Sequence, residues 1–244
     1  GAARAHGGGV AGLRLAIVSD AWRPQINGVV RTIDTVAQLL RADGHDVEVF
    51  GPDRFRTLPC PTYPEIRLSL FPGARLAHML KLYAPDAIHL VTEGPLGWAA
   101  RNFCLAHGIP FTTAYHTRFP EYVHARFRLP IAWSYAWLRW FHGASKAVMA
   151  PTQVVVDDLK AAGFQKVKLW SRGVDGEIFR PQASKRLNSE PPIFLYVGRV
   201  AVEKNVEAFL DLDLPGSKWV VGTGPALERI RERFPEVNYL GVLE

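Results

Sequence analysis

The stretch from Pro192 to Asn205 reads P-I-F-L-Y-V-G-R-V-A-V-E-K-N. Ile193 to Val197 is a short run of apolar, β-branched and aromatic residues, which is typical of a buried strand. Gly198 ends that run, and from Glu203 onward apolar residues recur at helical spacing. The stretch therefore predicts a strand, a tight turn and the start of a helix.

Two cations fall at this turn. Arg199 lies in the turn itself, and Lys204 is predicted to lie in the first turn of the helix, so both can face one point beyond the strand's carboxyl end. A helix N-terminus offers unpaired N–H groups and a positive dipole end, which suits a diphosphate. Spacing alone leaves a second interpretation open, in which the cations are solvated or paired with Glu203.

The N-terminal half begins with the same alternation of strand and helix. Leu13 to Ser19 is predicted as a strand, Val29 to Ala42 as an amphipathic helix, and Asp46 to Phe50 as the next strand. Such a βαβ unit implies a parallel sheet, and open parallel sheets bind ligands at the carboxyl edge. Asn27-Gly28 lies at that edge, where the glycine lets backbone approach a phosphate closely. A simple tight turn is the alternative.

The same reasoning along the rest of the chain predicts more strands and helices. The other predicted strands are Ala87 to Val91, Phe111 to Tyr115, Lys146 to Pro151, Val167 to Trp170, Lys218 to Val221 and Val237 to Leu240. The other predicted helices are Pro72 to Tyr83, Leu96 to His107, Ile131 to His142, Val154 to Ala162 and Ala226 to Phe234. Gly51 to Phe71 is Pro-rich and is predicted to be irregular, with a short strand in P-E-I-R-L-S-L as an option.

His116 opens the segment H-T-R-F-P-E-Y, just past a predicted strand. An imidazole there can hydrogen-bond a sugar hydroxyl or carry partial charge near a reacting carbon. A structural histidine that caps the strand end is the alternative.

These motifs together resemble the retaining GT-B glycosyltransferases, in particular glycosyltransferase family 4. G-R-V-A-V-E-K-N resembles the donor-diphosphate loop of that family, and D-A-W-R-P-Q-I-N-G-V resembles its N-terminal glycine loop. H-T-R-F-P-E-Y looks especially like the branch that glycosylates lipids, such as the sulfoquinovosyl and diacylglycerol glycosyltransferases. The similarity to mannosyltransferases of the same family is only somewhat weaker.

The resemblance implies an α/β fold of GT-B type, with two Rossmann-like domains, parallel sheets and a cleft between the domains. We expect a flexible tail at residues 1–12, an acceptor-side domain at 13–175, a linker at 176–191 and a nucleotide-sugar domain at 192–244. The second domain is expected to be incomplete, because the family's later strands and its helix with two glutamates do not appear. The sequence therefore looks like the first two-thirds of an enzyme.

The resemblance also assigns roles to individual residues. The catalytic candidates are His116 beside the donor sugar, and Arg199 and Lys204 on its pyrophosphate. The other donor-binding candidates are Asn27, Gly28 and Gly198, and the acceptor-side candidates are Asp20, Arg118 and Tyr122. The donor is a nucleotide diphosphate sugar, used as a substrate, so no cofactor is expected. No essential metal is expected either.

Composition and charge limit the classes of binding partner and the cellular compartment that we expect. The net charge of +6 and the pI of about 9.5 favour anionic partners, namely nucleotide diphosphates or an acidic membrane surface. The basic residues form no block, which disfavours nucleic acid. No apolar run reaches the roughly 20 residues needed to span a bilayer, and the Gly/Ala-rich start lacks a signal peptide's apolar core. We expect a cytoplasmic protein, with peripheral attachment to the inner membrane as an open alternative.

The predicted helix from Ile131 to His142 is strongly aromatic. Membrane-interface helices look like this, and so do helices packed in a core. The aromatic residues surround most of the helix, which favours the core, although an exposed part could still contact lipid.

The predicted function is transfer of a sugar from a nucleotide diphosphate sugar to an acceptor hydroxyl, with a lipid such as diacylglycerol as a candidate acceptor. The resemblance implies retention of the anomeric configuration. The main alternative is a non-catalytic remnant that binds only nucleotide or an anionic membrane, because the paired glutamates are missing. A sugar-phosphate epimerase or a phosphorylase on the same architecture is a third possibility.

Overall fold

The computed structural model describes residues 12–25, 27–60, 63–116, 131–181 and 191–243. The chain divides between Val174 and Asp175 into two compact units. That point is one residue before the predicted end of the first domain.

A six-stranded parallel sheet forms the centre of the first unit, as the βαβ pattern predicts. The strands of this unit are β1 (Arg14–Val18), β2 (Asp46–Phe50), β3 (Thr57–Cys60), β4 (Tyr63–Ser69), β5 (Ala87–Leu90), β6 (Phe111–Ala114), β7 (Val148–Ala150) and β8 (Val167–Leu169). The parallel sheet has the order β2-β1-β5-β6-β7-β8, and β3 and β4 pair separately. Because all six strands run the same way, their carboxyl ends form one edge.

Each helix of the first unit begins and ends within one residue of its predicted bounds. They are α1 (Gly28–Ala42), α2 (Gly73–Tyr83), α3 (Pro95–Ala106), α4 (Ile131–Gly143) and α5 (Gln153–Ala161). The Thr152 side chain accepts a hydrogen bond from the Val155 N–H at the start of α5. Gly163 follows the end of α5 with a φ of +84°, a conformation that glycine adopts without a steric penalty.

Both faces of the parallel sheet are covered by apolar side chains. Ala16 and Val18 of β1 belong to the core under α2 and α3, whereas Ile17 belongs to the core under α1. This is the alternation that a strand buried on both faces requires. Fully burying side chains such as Leu76 of α2 and Ile33 of α1 contributes about 1.5–3 kcal/mol each.

Tyr83 anchors the C-terminal end of α2 at the amino edge of the sheet. Its hydroxyl lies 2.8 Å from the Asp46 carbonyl oxygen and 3.3 Å from that of Leu15, at the starts of β2 and β1. Burial raises the pKa of Tyr83 to about 12, so the hydroxyl remains a donor at neutral pH. Since the C-terminal end of α2 lies at the amino edge of the sheet, its N-terminal end lies toward the carboxyl edge.

Part of the segment predicted to be irregular is a regular antiparallel hairpin. β3 pairs with β4, with Thr57 opposite Ser69 and Leu58 opposite Leu68. Across the pair, Arg67 Nε donates to Thr57 Oγ1 at 3.0 Å. The optional strand in P-E-I-R-L-S-L is therefore confirmed by β4, whereas for β3 (Thr57–Cys60) the irregular prediction was wrong. The prolines that suggested it are tolerated because a two-stranded ribbon has only edge strands.

The second unit has a smaller parallel sheet. Its strands are β9 (Ile193–Val197), β10 (Ser217–Val221) and β11 (Asn238–Gly241), in the order β11-β10-β9, and its helices are α6 (Val206–Leu210) and α7 (Leu227–Arg233). Val206, Leu210 and Ile230 pack on Val220 to form its core. On β9, Leu195 and Val197 are 55% and 67% exposed.

The helix predicted to start at Glu203 starts later. Residues Val202–Lys204 form a single 3₁₀ turn, closed by hydrogen bonds from Lys204 N–H to Ala201 O and from Asn205 N–H to Val202 O. Asn205 then adopts a φ of 46°, a left-handed conformation that asparagine tolerates and that interrupts a helix. Lys204 therefore lies in the turn before α6, and its predicted place in the first turn of the helix was wrong.

Candidate functional site

Asp20 lies just past β1, at the carboxyl edge of the first unit's sheet. Its Oδ1 accepts a hydrogen bond from the Leu96 N–H at 2.9 Å, and its Oδ2 accepts from the Gly97 N–H at 3.3 Å. The Thr92 hydroxyl donates to Oδ2 at 2.8 Å. The carboxylate therefore satisfies unpaired N–H groups in the first turn of α3. Asp20 was predicted as an acceptor-side residue, and the structure places it as a buried helix cap.

Two glycines let this cap form. A Cβ on Gly94 would lie 2.5 Å from the Asp20 carboxyl group, and a Cβ on Gly97 would lie 1.9 Å from the Thr92 carbonyl oxygen. Burial raises the pKa of Asp20 above its usual value, while the hydrogen bonds from Leu96 and Thr92 act in the opposite direction. The cap is thus a desolvated carboxyl group that depends on its N–H donors.

Asn27 and Gly28 start α1 at the same edge. The Asn27 side-chain oxygen accepts hydrogen bonds from the N–H groups of Val29 and Val30, both at 3.0 Å. Asn27 is therefore the N-cap of α1, and the tight-turn alternative does not describe this segment. Gly28 is the first helical residue and is exposed. The nearest atom that a Cβ on Gly28 would meet is Arg172 Nη1 at 3.7 Å, an ordinary contact distance.

His116 follows β6 at this edge and is joined to a residue that follows β8. Its Nδ1 lies 3.2 Å from Nη2 of Arg172. Its ring lies 6.2 Å from that of Trp170, measured between centroids. The histidine therefore interacts with the segment after β8.

The environment of His116 keeps its imidazole neutral at pH 7. Burial and the positive charge of Arg172 lower the pKa of His116 to about 4, against an opposing effect of Glu93. Its Nε2 is shielded from solvent and has no hydrogen-bond partner among the residues that the structure describes. His89 of β5 lies nearby, and burial lowers its pKa to about 4 as well.

The sequence analysis did not assign Glu93, His142 or Arg172 to the site. Glu93 Oε1 lies 3.1 Å from Nε2 of His142, whose Nδ1 lies 2.9 Å from the Thr113 hydroxyl. His142 is 1% exposed. Glu93 directly follows the carboxyl end of β5, and that position was a usable signal. Nothing local marked His142 or Arg172, because only the fold brings them to this edge.

Two of the predicted acceptor-side residues, Arg118 and Tyr122, lie outside the described residues. Their assignment stays a prediction.

In the second unit, the residues predicted to bind diphosphate lie on one loop after β9. Gly198 begins this loop, and the exposed side chains of Arg199 and Lys204 follow. The Tyr196 hydroxyl donates to the Arg199 carbonyl oxygen at 2.8 Å, which holds the backbone at the first cation. The loop thus presents two cations at the carboxyl end of a parallel strand.

The G-T-G-P turn, residues 222–225, packs directly against this loop. Gly198 N–H donates to Val221 O at 2.9 Å, and Val200 N–H donates to Thr223 O at 2.9 Å. A Cβ on Gly222 would lie 1.9 Å from the Gly198 carbonyl oxygen, so no larger residue fits there. Thr223, where the resembled family has an acidic residue, contributes its backbone carbonyl to this contact.

Ion pairs join α6 and α7 in the second unit. Nη1 and Nη2 of Arg229 donate to Oε1 and Oε2 of Glu207 at 3.2 and 3.0 Å. Arg233 bridges Glu207 at 3.1 Å and Asp211 at 2.8 Å. These contacts tie α7 to α6.

The aromatic helix α4 is buried on part of its surface and exposed on the rest. Leu138 and Phe141 are buried in the core, whereas Trp133 is 72% exposed and Trp140 is 50% exposed. Trp98 of α3 lies 5.3 Å from Trp140 between ring centroids. We call Trp98, Trp133 and Trp140 the tryptophan surface.

Arg101 packs against the Trp140 ring of the tryptophan surface. Its guanidinium carbon lies 3.9 Å from the centroid of the Trp140 ring, and its side chain donates to the carbonyl oxygens of Phe141 and Trp140.

Within the described ranges, no helix is long and apolar enough to cross a bilayer.

Comparison with known proteins adds to this geometry. Residues 26–177 match Glycosyltransferase Family 4. The chain is 30% identical over 247 residues to the GDP-mannose-dependent alpha-mannosyltransferase of Mycobacterium tuberculosis, covering 90% of this chain and 65% of that protein. It is 28% identical over 264 residues to the alpha-monoglucosyldiacylglycerol synthase of Streptococcus pneumoniae, covering 91% of this chain and 58% of that protein. The chain thus spans less than two-thirds of the length of these relatives.

Among solved structures, the lipopolysaccharide outer core galactosyltransferase WaaB in its apo form has a similar fold. The TM-score is 0.58 at 16% sequence identity, and the match covers 95% of this chain and 69% of that chain. The match agrees with the predicted α/β fold of GT-B type.

Replacing Asp20 tests the capping role against the predicted acceptor-side role. We expect Asp20→Ala to lower the free energy of unfolding by about 1–3 kcal/mol, because two backbone N–H groups of α3 lose their acceptor. Urea denaturation measures this, with Asp43→Ala at an exposed position as the control. An unchanged unfolding midpoint would contradict the capping role.

Gly28→Ala tests whether a ligand approaches the backbone at the start of α1. The fold has room for the methyl group, and alanine stabilises a helix by up to about 1 kcal/mol, so we expect an unchanged or higher Tm. If a phosphate lies against this backbone, the KM for nucleotide sugar should rise about tenfold, or roughly 1.4 kcal/mol. Gly97→Ala is the contrasting control and should lower Tm, since its Cβ would clash with Thr92. A donor KM equal to that of the unsubstituted protein would remove Gly28 from the donor site.

Proposed function

The chain belongs to glycosyltransferase family 4, and from that membership we propose that the protein transfers a hexose or related sugar from a nucleotide diphosphate sugar to an acceptor hydroxyl. We propose further that the anomeric configuration is retained. The chain matches named glycosyltransferases over about nine-tenths of its length, which supports this class of reaction.

One observation carries the proposal: the loop after β9 that presents Arg199 and Lys204. Arginine offers a planar fork of N–H donors and lysine a compact point charge, and the two groups complement a diphosphate. The Tyr196 hydroxyl and the glycine contact of Gly222 hold the loop's backbone before any ligand arrives. Donors arranged in advance cost no reorganisation when charge develops.

The chemical task of this loop is to support departure of the nucleotide diphosphate. As the bond from the sugar to the diphosphate breaks, negative charge grows on the leaving oxygen. Arg199 and Lys204 are the groups proposed to neutralise it. The proposal uses protein cations for this step and includes neither an essential metal nor a cofactor.

The first unit is proposed to bind the sugar and the acceptor. His116 would position the donor sugar, and Gly28 would supply backbone contact. Asp20 contributes indirectly, by fixing the turn that carries Glu93 and Gly94. Arg118 and Tyr122 remain proposed acceptor-side residues.

We propose a lipid as the acceptor, reached at an anionic membrane surface. Three features support this choice: a relative named as a monoglucosyldiacylglycerol synthase, the net charge of +6 and the tryptophan surface. Exposed tryptophan is favoured at the headgroup level because its ring is apolar and its N–H is polar. The proposed location is the cytoplasm, with peripheral attachment to the inner membrane.

Removing either cation tests the proposed reaction. We expect Arg199→Ala and Lys204→Ala each to lower kcat/KM by an amount equivalent to about 2–4 kcal/mol, because the leaving diphosphate loses a neutralising group. Initial-rate assays with nucleotide-sugar donors measure this, and Arg231→Ala serves as a control at an exposed cation of α7. Unchanged kinetics in both variants would refute the assignment. Nucleotide binding without turnover in the unsubstituted protein would instead support the binding-only alternative.

Replacing Trp133 tests the membrane proposal. We expect Trp133→Ser to weaken co-sedimentation with vesicles of phosphatidylglycerol and phosphatidylcholine about tenfold, because an exposed aromatic ring is lost from the interface. Val154→Ala is the matched control, since Val154 is an exposed apolar residue on α5. Equal vesicle binding by both variants would exclude the tryptophan surface as the attachment site.

A further inference from the structure

We propose that Arg172 is a positioning residue that fixes His116 as a neutral imidazole with its proton on Nε2, so that His116 acts as a hydrogen-bond donor. The inference deepens the proposed glycosyl transfer and rests on it for the identity of the acceptor oxygen. It assigns a role to a residue that was not among the predicted site residues.

The hydrogen-bonding chemistry of arginine determines the tautomer. A guanidinium group has five N–H donors and no acceptor. Arg172 Nη2 lies 3.2 Å from His116 Nδ1, so Nδ1 must use its lone pair to accept this hydrogen bond. A neutral imidazole carries a single proton, which is then on Nε2.

The charged groups around His116 keep it neutral. Arg172 and Glu93 act on it with opposite signs, and burial is the largest cause of its lowered pKa, which is about 4. The other titratable neighbour is His89, whose own pKa of about 4 leaves it uncharged at pH 7. The Trp170 ring, 6.2 Å away, adds no charge. Of these groups only Glu93 favours a protonated imidazole, and burial together with the charge of Arg172 outweighs it.

The donor nitrogen, Nε2, is buried. His116 Nε2 is shielded from water and forms no hydrogen bond with the described parts of the chain. A buried donor left unsatisfied costs about 1–3 kcal/mol, and an acceptor oxygen removes that cost. A hydroxyl oxygen of the donor sugar is the complementary group. The same tautomer lacks a lone pair on Nε2, so His116 cannot accept a proton there.

The position of Arg172 suits this task. It follows β8, and its Nη1 lies beside Gly28 at the start of α1. The guanidinium therefore spans two segments of the first unit, the N-terminal loop of α1 and the end of β6, where His116 lies. Arg172 itself is exposed, so the fold does not depend on its burial.

The decisive experiment records the imidazole ¹⁵N spectrum of His116, which reports directly which ring nitrogen carries the proton. In the unsubstituted protein we expect a protonated Nε2, an unprotonated Nδ1 and a pKa of about 4. Arg172→Met should populate both tautomers and raise the pKa, because a neighbouring positive charge disfavours a second one. Arg172→Lys keeps a charged donor and should retain the Nε2–H tautomer. Arg180→Met is the control at another exposed arginine and should leave the spectrum unchanged.

Kinetics provide the second readout. We expect Arg172→Met to lower kcat about tenfold or more with little change in donor KM, and Arg172→Lys to recover most of the loss. An Nδ1–H tautomer in the unsubstituted protein, or an unchanged His116 spectrum in Arg172→Met, would overturn the inference. The spectrum requires no turnover, so a failure of the proposed function would appear separately, as an intact Nε2–H tautomer in a protein that transfers no sugar.

Discussion

The carboxylate of Asp20 on the first turn of α3 is the contact on which the first unit's functional edge depends. It joins the end of β1 to the turn after β5 through N–H donors 76 and 77 residues away in sequence. Because the group is buried, it is stable only while those donors and the Thr92 hydroxyl surround it. Gly94 and Gly97 are required by the close approach of the same groups. The positions of Glu93, and of the histidines that interact with it, follow from this turn.

The second unit reaches a comparable arrangement by different means. Where the first unit uses a buried carboxylate, the second uses direct backbone contact between the loop of residues 198–204 and the turn of residues 222–225. Gly222 makes the contact possible, and Tyr196 secures the carbonyl of Arg199. In both units the polar groups stand at the carboxyl ends of parallel strands, where helix starts and loops expose backbone N–H groups. Each edge is therefore suited to an oxygen-rich ligand through its own local chemistry.

Most of the secondary structure followed from short-range patterns, and the errors have identifiable causes. Apolar periodicity and capping residues located β2 and α5 to within a residue. The helix after β9 was misplaced because Asn205 adopts a left-handed conformation that helical periodicity does not reveal. Strand β3 was missed because the prolines around it suggested an irregular loop, whereas it pairs with β4 and accepts a hydrogen bond from the Arg67 side chain.

The parallel α/β class and the family resemblance could be predicted from the residues alone. So could the candidates His116, Gly28, Arg199 and Lys204, because each is marked by a motif or by its place after a strand. The helix cap formed by Asp20 and the contact between Arg172 and His116 became visible only in the folded chain. These two contacts join residues 76 and 56 positions apart in the chain. The physical reason is that periodicity and motifs report the local backbone, whereas a hydrogen bond between distant segments exists only once the sheet has aligned their ends.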